Sequence, residues 1–274
     1  MLHTETMSQR PLAARPTAPT RVPRAVRAIA GGATVEPVWR NELGGLTFHV
    51  GGAAARFVKW SPAGVPGLDL AAEVRRLAWV DDRAAVPRVL DSGADDEGGW
   101  LVTAAIPAAS AVEPRWLDDP QTAVRAIGHG LRRLHDSLPV DECPFEWSVA
   151  RRLAQADVRI AAGMTVDDWF PEHRGTTVAE ARRRLASAPP VDRLVVCHGD
   201  PCAPNTLIDD DGRFAAHVDL GSLGVADRWA DIAVAAWSTE WNYGPGLAPL
   251  LYESYGIDAD EERIEYYRLL WDLG

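Results

Sequence analysis

The sequence predicts an α+β fold with a small, strand-rich N-terminal lobe and a larger, mostly helical C-terminal lobe. In the first part of the chain, short apolar runs are bounded by Gly, Pro and Asp, which is typical of strands and turns. Beyond Asp119, apolar residues recur every three or four positions behind capping residues, which is typical of helices. We predict a disordered tail over 1–27, the N-terminal lobe over 28–105 and the C-terminal lobe over 106–274.

The N-terminal lobe is predicted as an antiparallel sheet with one helix, Leu70–Val80. Gly51 and Gly52 supply a hairpin turn between two of its strands. The predicted strands are Val35–Trp39, Leu46–Val50, Ala53–Trp60, Val86–Asp91 and Trp100–Ala104, with a polar turn at Asp91–Gly99 between the last two. Ile106–Ser110 is predicted to connect this lobe to the next.

The C-terminal lobe carries clear helix starts. Asp119 is the predicted N-cap of a helix over Gln121–Leu138, Ser148 begins a helix through Ala162, and Thr177 with Glu180 fits a capping box. Strands are predicted at Leu194–Cys197, Thr206–Ile208 and Phe214–Val218, and helices at Asp227–Thr239, Leu247–Tyr255 and Ala259–Leu270. We expect Asp227, Arg228 and Asp231 to form an ion-pair group where the first of these last helices begins.

Composition limits the possible partners. A net charge of −11 argues against binding the nucleic-acid backbone and favours a neutral or cationic small molecule. No apolar window is long enough for a membrane span. The three cysteines, Cys143, Cys197 and Cys202, lack C-x-x-C spacing, which fits free thiols in a reducing compartment. We therefore expect a cytoplasmic monomer with no nucleic-acid or membrane partner.

The first 27 residues contain five arginines, four prolines and a single acid, Glu5. They have no apolar central region, which excludes a secretory signal. The Arg-rich, acid-poor composition also fits a transit peptide, but the prolines oppose the amphipathic helix that such a peptide needs. We therefore favour a disordered tail.

The stretch V-V-C-H-G-D-P-C-A-P-N-T-L-I from Val195, followed by H-V-D-L, carries the residues on which a function can be based. It places Asp200, Asn205 and Asp219 at the ends of short strands. An aspartate followed by an asparagine and a second aspartate is the set that phosphoryl transfer uses. The first accepts a hydroxyl proton, and the other two hold Mg²⁺ on the nucleotide phosphates.

Three further features complete a kinase-type arrangement. Lys59 is the only lysine among 28 basic residues, and it ends a predicted strand. As a compact point charge, a lysine suits a phosphate oxygen in a tight site. Glu73, on the predicted helix, is placed to hold Lys59 in an ion pair. Gly44 and Gly45 offer a backbone that phosphates can approach closely.

These motifs resemble the aminoglycoside O-phosphotransferases, which have a bilobal, protein-kinase-like fold and inactivate aminoglycoside antibiotics with ATP. H-G-D-P-C-A-P-N, V-D-L-G-S-L-G-V-A-D-R-W-A-D and C-P-F at Cys143–Phe145 carry the resemblance, which extends from about Val35 to the C-terminus. The spelling is most similar to the streptomycin 3''-phosphotransferases, with the kanamycin and neomycin 3'-phosphotransferases as the neighbouring branch. The resemblance therefore implies phosphorylation of an aminoglycoside hydroxyl, streptomycin-type 3''-OH first and kanamycin-type 3'-OH next, which confers resistance.

The resemblance also implies roles for individual residues. Asp200 is the catalytic base, and Asn205 and Asp219 are the Mg²⁺ ligands. ATP is held by Lys59, Glu73, Gly44 and Gly45, with adenine at the backbone of Thr103, Ala104 and Ile106. Apart from the resemblance, Asp168, Glu172 and Asp272 are our candidate contacts to the cationic drug; a solvated acidic face at Asp167, Asp168 and Glu172 is the alternative.

Two departures from the family pattern concern the loop geometry and the drug. Ser222 stands where the family usually has Arg, and the C-terminus keeps only Asp272 where many 3'-enzymes have an acidic ending.

Other interpretations remain open on the residues alone. The pairs His198-Gly-Asp200 and His217-Val-Asp219 could hold a transition metal for hydrolysis, but that hypothesis gives Lys59 and Glu73 no role. A nucleotide-binding module without catalysis would not need the complete set of catalytic residue types. The remaining alternative is a kinase of another small hydroxylated metabolite or antibiotic. We interpret His198 as a loop anchor rather than a base.

Overall fold

The computed structural model describes residues 13–41, 43–65 and 67–274, and these form two compact units. Unit 1 consists of the described residues as far as Ala78, together with Arg88–Ala105. Unit 2 consists of Trp79–Pro87 and Ile106–Gly274. Within the part of the chain that the structure describes, no helix is long and apolar enough to cross a lipid bilayer.

Unit 1 contains the strands β1 (Ala13–Ala14), β2 (Val35–Asn41), β3 (Leu46–Val50), β4 (Arg56–Pro62), β5 (Val89–Ala94) and β6 (Gly98–Ala104), and the helices α1 (Arg24–Ala30) and α2 (Leu70–Val80). The strands form a six-stranded antiparallel sheet with the order β1-β2-β3-β4-β6-β5. The central strands β3, β4 and β6 alternate side chains between two faces, so that Phe48, Val58 and Val102 enter one apolar core.

The helix α1 corrects the predicted boundary of the N-terminal tail. It begins at Arg24, inside the range 1–27, and its Val26 is completely buried in the core of the sheet with Ala30. The four-residue spacing of Val26 and Ala30 puts both on one helical face, and burial of that face stabilises the helix. The part of the tail prediction that concerns residues 1–12 lies outside the described residues.

Unit 2 is mostly helical, with two small antiparallel sheets of order β10-β9-β7 and β11-β8. Its helices are α3 (Pro114–Leu117), α4 (Pro120–Ser137), α5 (Val149–Ala161), α6 (Val178–Arg184), α7 (Trp229–Tyr243), α8 (Ala248–Tyr255) and α9 (Glu261–Leu273). Its strands are β7 (Ala109–Ser110), β8 (Leu194–Cys197), β9 (Thr206–Ile208), β10 (Phe214–His217) and β11 (Gly224–Asp227).

Three predicted helix starts in this unit are confirmed. Asp119 and Ser148 accept hydrogen bonds from Thr122 N and Arg151 N, as N-caps do. Thr177 likewise accepts from Glu180 N.

The helix α7 lies at the centre of unit 2. Every residue from Trp229 to Thr239 is buried, so the helix is surrounded on all sides by protein. Most of these side chains are apolar, but Asp231 and Ser238 are polar and fully buried. Being seven residues apart, they lie on the same face of the helix, and that face contacts the loop described next.

Candidate active site

The loop between β8 and β9 holds the aspartate around which the predicted site is arranged. It runs from His198 to Asn205 and closes with a 3₁₀ turn at Ala203–Asn205. Asn205 N donates to Cys202 O at 2.9 Å, and Asn205 Nδ2 donates to Asp200 O at 3.0 Å. The asparagine therefore ties the end of the loop back to Asp200.

Asp219 reaches the same loop through the backbone. Val218 N donates to Asn205 O at 2.9 Å, which places Asp219 directly beyond that bond. Asp219 has φ of 64°, a left-handed conformation that few residues other than glycine adopt. Backbone strain of this kind concentrates at functional sites. The structure thus brings Asp200, Asn205 and Asp219 together, as the sequence spacing predicts.

Burial and the charge of Asp219 both affect the ionisation of Asp200. Burial raises the pKa of the Asp200 carboxyl above its usual range, and the charge of Asp219 raises it further. Hydrogen bonds from Cys202 and Asn205 and the ring of His198 act in the opposite direction. Among the described residues, no group donates to Asp200 Oδ1, which is buried.

This donor set fits a magnesium ion. Two neighbouring carboxylates repel each other, and a divalent cation with oxygen ligands removes that repulsion. The amide nitrogen of Asn205 is engaged with Asp200 O, which leaves its amide oxygen as the atom suited to a hard cation.

His198 is a loop anchor, as expected. Its Nδ1 accepts from Asp200 N at 3.2 Å, so its Nε2 carries the hydrogen and donates to Val218 O at 3.0 Å. Both ring nitrogens are therefore in use. Among the described residues, the only group of three or more His, Cys, Asp and Glu side chains that lie close enough together to share a metal is His135, Cys197 and Asp231. The two H-x-D pairs do not form such a group, which removes the basis of the metal-hydrolase alternative.

Asp231 of α7 fixes the backbone at the start of this loop. It accepts from His198 N at 2.5 Å, Gly199 N at 3.0 Å and His135 Nε2 at 3.0 Å. Burial opposes its ionisation, but the hydrogen bond and charge of His135, with His198 and Gly199, lower its pKa below the usual range.

The predicted ion-pair group at this helix start is wrong. Arg228 pairs with Asp192 at 2.6 Å instead, since Asp231 faces inward to the loop.

In unit 1, the predicted ion pair between Lys59 and Glu73 is confirmed. Lys59 Nζ lies 2.7 Å and 2.9 Å from the two carboxylate oxygens of Glu73. The Glu73 side chain is only 6% exposed, whereas that of Lys59 is 23% exposed. The strand β4 and the helix α2 therefore fix the only ammonium side chain of the protein in one orientation.

The other predicted nucleotide residues lie on turns and strand ends. Gly44 and Gly45 belong to the turn between β2 and β3, where Gly45 N donates to Asn41 Oδ1 at 2.7 Å. Thr103 and Ala104 end β6, and Ala104 N donates to Arg88 O at 2.9 Å. Ile106 is the first residue of unit 2 after this strand.

The predicted drug carboxylates surround one segment of unit 2. Asp168 and Glu172 are exposed, and Asp168 Oδ2 also accepts from Thr165 N at 2.9 Å. Asp272 is different, because it is buried and both of its oxygens are engaged. They accept from Phe170 N at 3.2 Å and bond His173 Nδ1 at 2.5 Å. This burial revises the expectation that Asp272 presents its carboxylate to a substrate.

An aromatic stack joins that segment to α7. The rings of Phe170 and Trp241 are parallel within 8° with centroids 4.2 Å apart, and Trp237 packs on Phe170 at 4.7 Å. On the same helix, Ser238 Oγ accepts from Ala203 N of the loop between β8 and β9 at 2.9 Å. The segment with the acidic residues is therefore attached to the helix that supports Asp200.

Comparison with known proteins shows the family. A model described as "Phosphotransferase enzyme family" matches residues 26–267. The chain belongs to the phosphotransferase enzyme family. It is 39% identical over 213 residues to an aminoglycoside 3'-phosphotransferase of Streptomyces fradiae, covering 74% of this chain and 78% of the relative. It is 35% identical over 245 residues to a streptomycin 3''-kinase of Streptomyces griseus, covering 84% and 88%.

A solved structure is similar along almost the whole phosphotransferase chain. An aminoglycoside phosphotransferase from Streptomyces rimosus, in complex with ADP and streptomycin, aligns with a TM-score of 0.73 and 30% identity. The alignment covers 90% of this chain and 95% of the other. The predicted fold class, an α+β kinase-like fold with an antiparallel sheet, is confirmed.

Sequence reasoning missed the residues of this phosphotransferase that hold the loop between β8 and β9 in place from α4 and α7. They are His135, Asp231, Ser238 and Asn242. One signal was available, because Asp231 and Ser238 are polar residues seven positions apart in an otherwise apolar helical run. Their partners in the loop lie 32 or more residues away in sequence, and no local pattern indicates that distance.

Proposed function

We propose that this phosphotransferase moves the terminal phosphoryl group of ATP to a hydroxyl group of an aminoglycoside. The streptomycin-type 3''-OH is the first candidate acceptor and the kanamycin-type 3'-OH is the second. The observation that carries the proposal is the Asp200 carboxylate, whose Oδ1 is buried and has no hydrogen-bond partner among the described residues, in the same loop region as Asp219. The streptomycin-bound relative and the two named relatives support the substrate class.

Asp200 acts as the base. Its Oδ1 is available to accept a hydrogen bond from the acceptor hydroxyl, which orients that oxygen for attack and receives its proton as transfer proceeds. The backbone around Asp200 is fixed by His198, Asn205 and Asp231, so the carboxylate does not have to be ordered during the reaction.

The remaining residues bind and neutralise the nucleotide phosphates. Asn205 and Asp219 hold Mg²⁺, which when bound supplies positive charge to the phosphate oxygens. Lys59 contributes a second positive charge, and Glu73 keeps its ammonium group in place. Thr103, Ala104 and Ile106 offer backbone groups to adenine, and Gly44 and Gly45 offer theirs to phosphate.

Acidic residues attract the cationic acceptor. Asp168 and Glu172 are exposed on either side of Phe170, and the whole chain has a net charge of −11. A guanidinium group is planar and matches a carboxylate with two parallel hydrogen bonds. Asp272 contributes indirectly, because its bonds to Phe170 N and His173 hold this segment against α9.

The test is an ADP-release assay with Asp200→Asn and the wild type against streptomycin, kanamycin, neomycin, hygromycin and a macrolide. We expect the wild type to turn over streptomycin fastest. The variant should lose on the order of 10²–10⁴ in kcat while its affinity for the nucleotide stays within a few-fold, since only the proton acceptor is removed. Asp258→Asn, an exposed loop position, serves as the control.

Two outcomes would contradict this proposal in different ways. Near-normal turnover by Asp200→Asn would remove the assignment of the base. Turnover of the macrolide alone, with Asp200 still essential, would contradict the aminoglycoside as substrate. The enzyme would then be a kinase of another antibiotic or metabolite with the same fold.

A further inference from the structure

The pair formed by His173 and Asp272 leaves one ring nitrogen of the histidine available. His173 Nδ1 lies 2.5 Å from Asp272 Oδ2, and Phe170 N donates to the other oxygen, Oδ1, at 3.2 Å. Asp272 is buried, whereas 14% of the His173 side chain is exposed. Since an ionised carboxylate can only accept, the hydrogen of the neutral imidazole is on Nδ1, and Nε2 carries a lone pair.

The position of Nε2 is fixed by a second contact of the ring. The imidazole meets the ring of Trp237 at 64° with centroids 5.3 Å apart. His173 therefore contacts both α9, through Asp272, and α7, through Trp237. Within the part of the chain that the structure describes, no residue bonds Nε2, and this atom is not enclosed by protein. Nε2 is thus a fixed hydrogen-bond acceptor that a ligand can reach.

His173 is connected to the loop that carries Asp200. Trp237, which it contacts, precedes Ser238, and Ser238 Oγ accepts from Ala203 N at 2.9 Å. Two side-chain contacts therefore separate His173 from the loop in which Asp200 lies. A substrate made of several sugar rings can extend over such a separation.

The chemistry of the ligand follows from that of the acceptor atom. Guanidinium and ammonium groups have N–H donors and no acceptor, and a neutral imidazole accepts from them without adding positive charge. Asp168 and Glu172 are exposed in the same segment and supply the negative charge that attracts a cation. A hydrogen on Nε2 would instead direct a donor at the cationic group.

We propose that His173 is a substrate-binding residue whose Nε2 accepts a hydrogen bond from a guanidinium or ammonium group of the aminoglycoside. Asp272 is the positioning residue of the pair, because it holds the ring hydrogen on Nδ1. The inference rests on the proposed function. It gives the buried carboxylate of Asp272 a part in drug binding without contact between the two.

Two substitutions of His173 separate the roles of its ring nitrogens. In His173→Asn, an amide nitrogen takes the place of Nδ1 and still donates to Asp272, but nothing replaces Nε2. In His173→Gln, the longer side chain brings an amide oxygen to the place of Nε2 and gives up the bond to Asp272. Calorimetric titration with streptomycin and with kanamycin, in the absence of nucleotide, measures the dissociation constants, and thermal unfolding measures stability.

We expect His173→Asn to raise the dissociation constant of the aminoglycoside that the wild type prefers by about tenfold, with KM for ATP and the unfolding temperature nearly unchanged. His173→Gln should bind this drug more tightly than His173→Asn although it unfolds at a lower temperature. A purely structural role predicts the opposite order of affinities, since only His173→Asn keeps the bond to Asp272. His129→Asn, at an exposed position of α4, is the matched control and should change neither quantity.

Asp272→Asn tests the position of the ring hydrogen. Phe170 N needs the amide oxygen of the new side chain as its acceptor, so the amide nitrogen faces His173 and donates to Nδ1. The ring hydrogen then moves to Nε2, and the dissociation constant should rise by a similar factor. In a His173→Asn background, Asp272→Asn should have no further effect on affinity, whereas losses that multiply would overturn the common route.

The failure of this inference is distinguishable from failure of the proposed function. If an aminoglycoside is turned over with Asp200 as the base, but wild type and His173→Asn bind it equally well, the role of His173 alone is wrong. If His173→Asn does not fold, the affinity of Asp272→Asn decides. A wild type that neither binds nor phosphorylates any aminoglycoside would overturn the proposed function and this inference with it.

Discussion

Gly199 permits the loop from His198 to Asn205 to approach Ser222 closely. Its φ is 85°, and a Cβ built on it would lie 2.3 Å from the backbone oxygen of Ser222. Any side chain at this position would therefore push the backbone of Ser222 away. The contact also shows that Ser222, which stands where the family usually has Arg, lies against Gly199.

Gly199→Ala should consequently inactivate the enzyme. We expect kcat to fall on the order of 10²-fold or more, because the clash displaces the peptide next to Asp200. Gly163→Ala is the matched control, since Gly163 has φ of 97° but no atom within 4 Å of a built Cβ. It should cost about 1–2 kcal/mol of stability from the left-handed backbone and leave kcat unchanged. Equal kinetic effects in both variants would argue against the steric explanation.

The residues of the candidate site differ in how far the sequence alone predicts them. Asp200 and Asn205 lie in one short loop, so their proximity follows from local sequence, and the structure places Asp219 beside them through the β9–β10 hairpin. Lys59 and Glu73 were found because the sole lysine is conspicuous. Ala203 and Ser238 could not be linked, since 35 residues separate them and only the packing of α7 brings them together.

At the scale of the elements, helices were predicted better than edge strands. The strand β11 was missed, because Gly224–Asp227 has no alternating pattern and its identity depends on pairing with β8, where Val225 lies opposite Val196. The strands β5 and β6 extend into the polar turn predicted at Asp91–Gly99, because ladder hydrogen bonds continue through polar residues. Helix α2, in contrast, was predicted with its observed limits.

The attachment of α7 to the catalytic loop makes a prediction about acid stability. Asp231→Asn should lower the free energy of unfolding at pH 7 by about 3–5 kcal/mol, because it weakens the hydrogen bonds that this buried carboxylate accepts from His198 N, Gly199 N and His135. The pKa of Asp231 is lowered in the folded protein, so its contribution is complete above the unfolded pKa of about 3.9 and is lost as the pH falls through the lower folded value.

Urea unfolding from pH 7 to pH 3 measures this difference. The gap in the free energy of unfolding between wild type and Asp231→Asn should be constant above about pH 5 and shrink below about pH 4. Asp258→Asn, at an exposed position, should show no such gap. A gap that does not change with pH would mean that the charge of Asp231 is not what stabilises the loop.

At the scale of the whole molecule, composition offers an independent test of the nucleotide site. The chain has one lysine among its 28 basic residues, so an amine-reactive reagent can modify only Lys59 and the terminal amine. The Lys59 side chain is 23% exposed, so it is not shut off from solvent. Intact mass then counts how many of these two amines are modified, without digestion.

Without nucleotide we expect the reagent to modify both the terminal amine and Lys59. ATP with Mg²⁺ should prevent the modification of Lys59, because the phosphates cover its ammonium group. Streptomycin alone should give no such protection. The variant Lys59→Arg should take up one group only, which identifies the site. It keeps the charge and the partner Glu73, but its planar guanidinium replaces a compact ammonium, so kcat/KM for ATP should fall on the order of tenfold or more. Modification of Lys59 at the same rate with and without saturating nucleotide, together with full activity of Lys59→Arg, would show that this lysine does not contact the phosphates.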